Sequence, residues 1–247
     1  MKTKQTWTLS EEEKIQIRSV VTSCCGHDST RLSYPLEEGA RHFLLFDDDG
    51  SLISALSLFF SWEDCCECTA FTLPEKRGQG CFSQLFDLAL SWLEEKEEKE
   101  DAGYDLLFVT SPGCRETMNV LNAIGAEYDY SEYMMERAIK KETEPEDPIH
   151  LEFQEDGLCL GLLNHQLIGS CRLDYGCGSA CLYEMEIKEP FRNQGLGTRF
   201  LWSLFPRLME NGILILRLQV TSANKAALSL YKKTGFHICE TLSYYLY

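Results

Sequence analysis

Apolar positions along the chain fall into two similar series. From Ser10 to Cys24 they recur at helical spacing, with Ile15, Ile17, Val20 and Val21 expected to face inward. Ser10 is a helix-capping residue type and Glu13 stands three positions later, the arrangement of a capping box. In the second half the pattern is short and strand-like. Leu158 to Leu163 is apolar, Asn164-His165 marks a turn, and Gln166 to Leu173 is a second strand, so a hairpin is expected. Gly176 to Ser179 is the next turn and Ala180 to Lys188 the next strand, stopped by Pro190. A helix opens at Gly195-Leu196-Gly197, with Phe200, Leu201, Leu204, Leu208 and Met209 as its apolar face, and Asn211-Gly212 closes it. Ile213 to Val220 reads as a buried parallel strand, Asn224 to Thr234 as a helix closed by Gly235, and Phe236 to Tyr247 as one or two last strands.

Much of this order occurs twice. Arg77-Gly78-Gln79-Gly80 and Arg192-Asn193-Gln194-Gly195 lie 115 positions apart, as do Leu52-Ile53 and Leu167-Ile168, while Gly125 and Gly235 are 110 apart. Landmarks in one order at a near-constant offset indicate a duplication. The charged, proline-bearing run KKETEPEDP from Lys140 to Pro148 reads as the junction. The expected organisation is a first domain over 1–142, a linker over 143–148 and a second domain over 149–247. Each is of mixed-sheet α/β class, and the second lacks the opening helix of the first.

Composition narrows the possibilities. Of the 247 residues 44% are hydrophobic and 25% charged, which suffices for a core in each half. The net charge of -16 disfavours nucleic acid and anionic membrane surfaces and suits a cationic small molecule. Met1 to Ser10 has no apolar signal segment and no run approaches bilayer-spanning length, so a cytoplasmic setting is expected. The 12 cysteines then read as reduced, small, apolar groups. Cys65, Cys66 and Cys68 lie on a strand-like segment that turns neighbours to opposite faces, and no second pair stands at ligand spacing, so no metal is expected.

The candidate chemistry lies between Arg192 and Gly197. A glycine-rich segment between a strand and a helix presents unpaired main-chain N–H groups, to which a diphosphate can come close. It is neither GxxxxGK[ST] nor GxGxxG, so Walker and dinucleotide sites are not indicated. The motif Arg192-x-x-Gly195-x-Gly197, followed by Asn224-Lys225-Ala226-Ala227-Leu228-Ser229-Leu230-Tyr231-Lys232-Lys233-Thr234-Gly235-Phe236, resembles the GNAT superfamily of N-acetyltransferases. The resemblance covers residues 150 to 247 well and 30 to 140 more loosely.

That resemblance implies two tandem GNAT-type domains and acetyl-CoA as acyl donor. It implies that the backbone of Glu186, Ile187 and Lys188 pairs with the pantetheine arm. The main chain of Gln194, Gly195, Leu196, Gly197 and Thr198, aided by Arg192 and Asn193, would bind the diphosphate, and Asn224 would touch the cofactor arm. Tyr231 fills the family's usual acid position. Glu184 and Glu186, two apart on one strand, are both candidate bases, with Glu184 the closer match to polyamine-acetylating members. Tyr244, Tyr245 and Tyr247 either pack an edge strand or line an acceptor pocket.

In the first copy Phe82 replaces the last motif glycine, Leu121 stands at the position of Tyr231 and Cys114 at that of Asn224. This copy is therefore expected to be structural or to hold cofactor only: Phe82 crowds the phosphates, or the helix start binds them despite it. The acceptor is expected to be a small-molecule amine or a peptide. A non-catalytic acyl-CoA-binding or scaffold protein is the competing function, because a fold does not establish an activity.

Overall fold

The computed structural model describes residues 1–62, 65–141 and 145–247; residues 143 and 144 of the expected linker lie outside the described residues. The first series of elements is β1 (Lys2–Thr6), α1 (Glu11–Asp28), β2 (Ala40–Phe46), β3 (Leu52–Trp62), β4 (Cys65–Thr72), α2 (Cys81–Glu100), β5 (Asp105–Thr110), α3 (Arg115–Ile124) and β6 (Glu127–Ala138). The second is β7 (His150–Phe153), β8 (Leu158–Leu163), β9 (Gln166–Tyr175), β10 (Ser179–Ile187), α4 (Leu196–Glu210), β11 (Ile215–Thr221), α5 (Lys225–Lys233) and β12 (His237–Leu246). The second series repeats the first without a counterpart of α1, as the offsets imply.

Two compact units form, and neither ends at the linker. One comprises Met1–Tyr130 with Leu242–Tyr247, the other Ser131–Thr241. In the first, β4 and β5 run parallel from Cys65↔Asp105 to Cys68↔Phe108, and the end of β12 lies antiparallel on the other side of β5, Ser243↔Thr110 to Leu246↔Leu107. In the second, β10 and β11 are parallel from Ser179↔Ile215 to Leu182↔Leu218, and β6 covers the far side of β11 over seven pairs, Ala138↔Ile215 to Glu132↔Thr221. Each unit thus takes part of a strand from the other copy's sequence, Ser131–Ala138 of β6 in the second and Leu242–Leu246 of β12 in the first. The physical reason is the edge: without β6, the buried strand β11 would expose a row of unpaired backbone groups.

The first unit packs helices on both sheet faces. Ile17, Val20 and Cys24 of α1 meet Leu44, Leu52 and Ala55, while Leu85, Phe86, Ala89 and Leu93 of α2 meet Phe43, Leu45 and Leu56. The alternation of Phe43, Leu44 and Leu45 between the two clusters is the two-residue strand period. The Ser10–Glu13 capping box forms as expected, but Ile15 is exposed, because Glu13, Ile17, Val20 and Cys24 make the inner stripe of α1. In the second unit Phe200, Leu201, Leu204, Phe205 and Leu208 of α4 pack on Cys159, Ile168, Cys171, Leu182, Leu216 and Leu218. Met209, expected on that face, points outward.

Among the described residues no helix is long and apolar enough to cross a membrane.

Candidate functional site

In the second unit a single 3-10 turn, Glu189–Phe191, carries the chain from β10 to Arg192. Gly195 then takes φ 75°, a left-handed conformation that glycine adopts without strain, and α4 starts at Leu196. No side chain caps this helix. Arg199 is the first residue to bond back, to Gly195 O at 3.1 Å, which leaves the N–H groups of Leu196, Gly197 and Thr198 outside the helical ladder.

The expected cofactor side chains brace the loop. Arg192 Nε donates to Ile187 O at 2.7 Å and its Nη2 reaches Glu186 Oε1 at 3.2 Å; Gln194 Nε2 donates to Pro190 O at 2.9 Å. Asn193 holds φ 61° in the same turn. The Lys188 N–H donates to Ile168 O at 2.9 Å, so that amide already has a partner. Gly197 lets α5 approach: a Cβ built there would lie 3.2 Å from Leu230 Cδ2 and 3.6 Å from Ile187 Cγ1.

The two candidate bases do not sit on a regular strand. The β10–β9 register shifts between Tyr183 and Glu186, and Glu184 lies at φ 50° in that bulge. Glu184 pairs with Arg172 at 3.1 Å and Glu186 with Arg192, both on the surface. Asn224 caps α5, its Oδ1 accepting the Ala227 N–H at 3.0 Å. Tyr231 is buried on α5 with its ring 5.6 Å from Phe236. Burial above all, with Cys171 nearby, pushes its phenol up to about 12.

The first unit repeats the main-chain bonds of this loop's arginine and glutamine. Arg77 Nε donates to Thr72 O at 3.2 Å, Gln79 Nε2 to Glu75 O at 2.9 Å, and Gly80 at φ 79° opens an uncapped α2. Arg77 also holds Asp28 through two bonds of 2.8 and 2.7 Å, which lowers the Asp28 carboxyl below its ordinary range. Beside this loop lies a cleft of about 660 Å³ between α2 and α3, with β4 and β5 as floor. Phe82, the second residue of α2, lines it, and its ring lies flat on that of Phe86 one turn further along the helix, centroids 5.2 Å apart and planes at 17°. Cys114 is the N-cap of α3 and Leu121 is buried, at the positions of Asn224 and Tyr231.

Two contributors to this cleft have no local sequence signal. Asp28 arrives from the end of α1, 49 residues before Arg77, and Tyr247 from beyond β12. The carboxyl-terminal tyrosines are not on an edge: Tyr244 stacks on Tyr130 at 4.4 Å and Tyr245 meets Tyr128 at 5.6 Å, with β5 on the other side. Cys66 and Cys68 are buried and Cys65 half-buried; burial pushes the Cys66 thiol up to about 12. Among the described residues one group has metal-ligand atoms within 4.8 Å of one another, Asp28, Cys114 and Glu116, and there the Arg77 guanidinium already neutralises Asp28.

Comparison with known proteins agrees with this geometry. Residues 126–236 match the family model described as Acetyltransferase (GNAT) family, a span that takes in β6 as well as β7 to α5. A search of curated proteins finds no match. A GCN5-related N-acetyltransferase from Sphaerobacter thermophilus superposes with TM-score 0.78 at 13% identity, over 99% of this chain and 95% of that one. A tandem GNAT protein from the clavulanic acid biosynthesis pathway gives 0.66 at 10% identity, over 100% and 98%. An acetyltransferase from the GNAT family from Colwellia psychrerythraea gives 0.62 at 13%, over the whole of both chains. At these identities the likeness is one of fold.

Proposed function

Because this chain carries a domain of the GNAT acetyltransferase family over residues 126–236, we propose that it transfers the acetyl group of acetyl-CoA to a primary amine of a small molecule or peptide. The observation that carries this reading is the uncapped start of α4, where three consecutive main-chain N–H groups stand free beside a glycine turn. The main chain of Gln194 to Thr198 takes the diphosphate. Arg192 and Gln194 hold the loop in shape, and Glu186 and Ile187 offer the strand for the pantetheine arm. Asn224 orders the start of α5, which carries Tyr231.

The amine must be unprotonated to attack the thioester carbonyl carbon. A C–N bond forms, the C–S bond breaks, and coenzyme A leaves as thiolate while the new ammonium gives up a proton. Glu184, exposed and next to Arg172, is the proposed acceptor of that proton through water. Tyr231 is the proposed partner of the leaving sulfur. A thiol of ordinary pKa near 8.5 is a stronger acid than a phenol pushed up to about 12, so Tyr231 acts by donating a hydrogen bond to the thiolate rather than by giving up its proton. The net charge of -16 suits a cationic acceptor.

A second placement of the donor is favoured by the open cleft in the first unit, where the same loop and the same uncapped helix start occur. Asp substitutions separate the two, since Asp tolerates the left-handed conformation and sets a carboxylate against the phosphates. Gly195→Asp abolishes coenzyme A binding and thiol release if the second unit holds the donor, Gly80→Asp if the first does. In an amine-panel assay read by free thiol, Tyr231→Phe lowers turnover at least tenfold on the first placement. Tight coenzyme A binding with no thiol release from any amine would leave the chain as a binding or scaffold protein, and failure to bind coenzyme A would refute the reading altogether.

A further inference from the structure

The cleft of the first unit is lined by two unlike sets of residues. Arg77, Gly80 and Ser83 line it around the start of α2, with Asp28 held by Arg77, and Phe86, Phe108, Leu121 and Tyr247 supply apolar lining. Such a cavity fits an amphiphile with a phosphate-bearing head and an apolar tail. Tyr247 belongs to the unit through backbone bonds: its N–H donates to Leu106 O at 3.0 Å and its O accepts the Leu106 N–H at 3.2 Å. Its ring meets Phe86 edge-on at 5.3 Å.

The second unit shows what the same place looks like when it is filled. There β6 pairs with β11, and Arg137 lies opposite Leu216, as Tyr247 lies opposite Leu106. Each pair is offset by 110, so Arg137 and Tyr247 occupy one position on the two exchanged strands. Arg137 is buried, its guanidinium carbon 3.9 Å from the Phe205 ring centroid and 4.8 Å from that of Trp202, and it donates to Thr234 O, spanning from α4 to the end of α5. Tyr247 meets the Phe86 ring of α2 and lines an open cleft, where it is 45% exposed.

We infer that the first unit's cleft takes an acyl-CoA whose acyl group is longer than acetyl, and that Tyr247 sets the length it accepts. This rests on the second donor placement above. The acyl tail packs among Phe86, Phe108 and Leu121, and the Tyr247 ring is the stop. Tyr247 is a specificity-determining residue, supplied to the first copy's site by the second copy's last strand.

The test is calorimetric titration of the full chain with coenzyme A, acetyl-, butyryl-, hexanoyl-, octanoyl- and decanoyl-CoA. Affinity should rise about fourfold per buried methylene up to a limiting length. Tyr247→Ala should move that limit to longer chains and Tyr247→Trp to shorter ones, with coenzyme A itself and Tyr247→Phe unchanged. Melting curves confirm that each variant is folded, and the Ala and Trp variants bracket the effect from both sides. Binding of coenzyme A with a flat length profile, or a profile that the Ala and Trp variants leave alone, overturns this inference and spares the donor placement. No binding of coenzyme A or any thioester overturns both.

Discussion

Strand β6 lies on the amino-terminal side of the charged junction, yet it completes the second unit, and this can be tested by where a fragment begins. A fragment over 145–247 starts within the junction and lacks β6; one over 131–241 starts inside β6 and keeps its pairing with β11. The difference is large. Met135 and Ile139 are buried at 0% and 4% exposure, and full burial of each contributes about 1.5–3 kcal/mol, so the two together supply about 3–6 kcal/mol. Seven ladder pairs with β11 are lost as well, together with the packing of Arg137 on Phe205. A domain's whole stability is about 5–15 kcal/mol, so losing β6 removes most of it. It also bares Leu216, Leu218 and Val220 along an unpaired edge, which favours aggregation. Expressed alone, 145–247 should be insoluble or lack a cooperative melt by circular dichroism, and 131–241 should be soluble and melt cooperatively. Equal midpoints for the two fragments would refute the assignment of β6 to the second unit's core.

Other consequences are local. Burial holds the His42 ring neutral, its pKa lowered to about 4, while in the unfolded chain histidine titrates near 6.5. As pH falls from 6.5 to 4 only the unfolded chain takes up this proton, so about 3 kcal/mol present above pH 6.5 is lost by pH 4; urea melts across that window should show the slope, and a His42→Gln variant with the same slope would exclude this residue as its source. Gly161→Ala places a Cβ 2.4 Å from the fully buried Phe200 ring and should lower the midpoint by the equivalent of about 1–3 kcal/mol, whereas an unchanged melt would show that α4 can retreat. Ser10→Ala removes the bond to the Glu13 N–H and should cost about 1 kcal/mol in chemical melts, with no effect on coenzyme A binding.

What the sequence disclosed and what it hid follow from how local each feature is. The capping box of α1, the turn at Asn164-His165, the glycine that opens α4 and the closure of α5 are each decided within a few residues, and all are readable. The two loops are recognisable as one repeat because an arginine and a glutamine brace the turn in the same way in both copies. The strand exchange left no such mark. The strand sequences of β6 and β12 alternate in a way that fits several edges, and the choice between them is made by groups 80 to 140 residues distant, such as Leu218 opposite Met135 or Thr110 opposite Ser243. The placement of Phe82 depends in the same way on a neighbour. As a substitution for glycine it predicts obstruction, but on a helix its ring can lie along the face shared with residue 86, and Phe86 is there to receive it. A charged, proline-bearing junction in a duplicated chain marks where one copy's sequence gives way to the next. It marks the limit of a folded unit only if each copy keeps its own last strand, and here each copy's last strand is divided between the units, so the unit limit falls inside β6, before the junction.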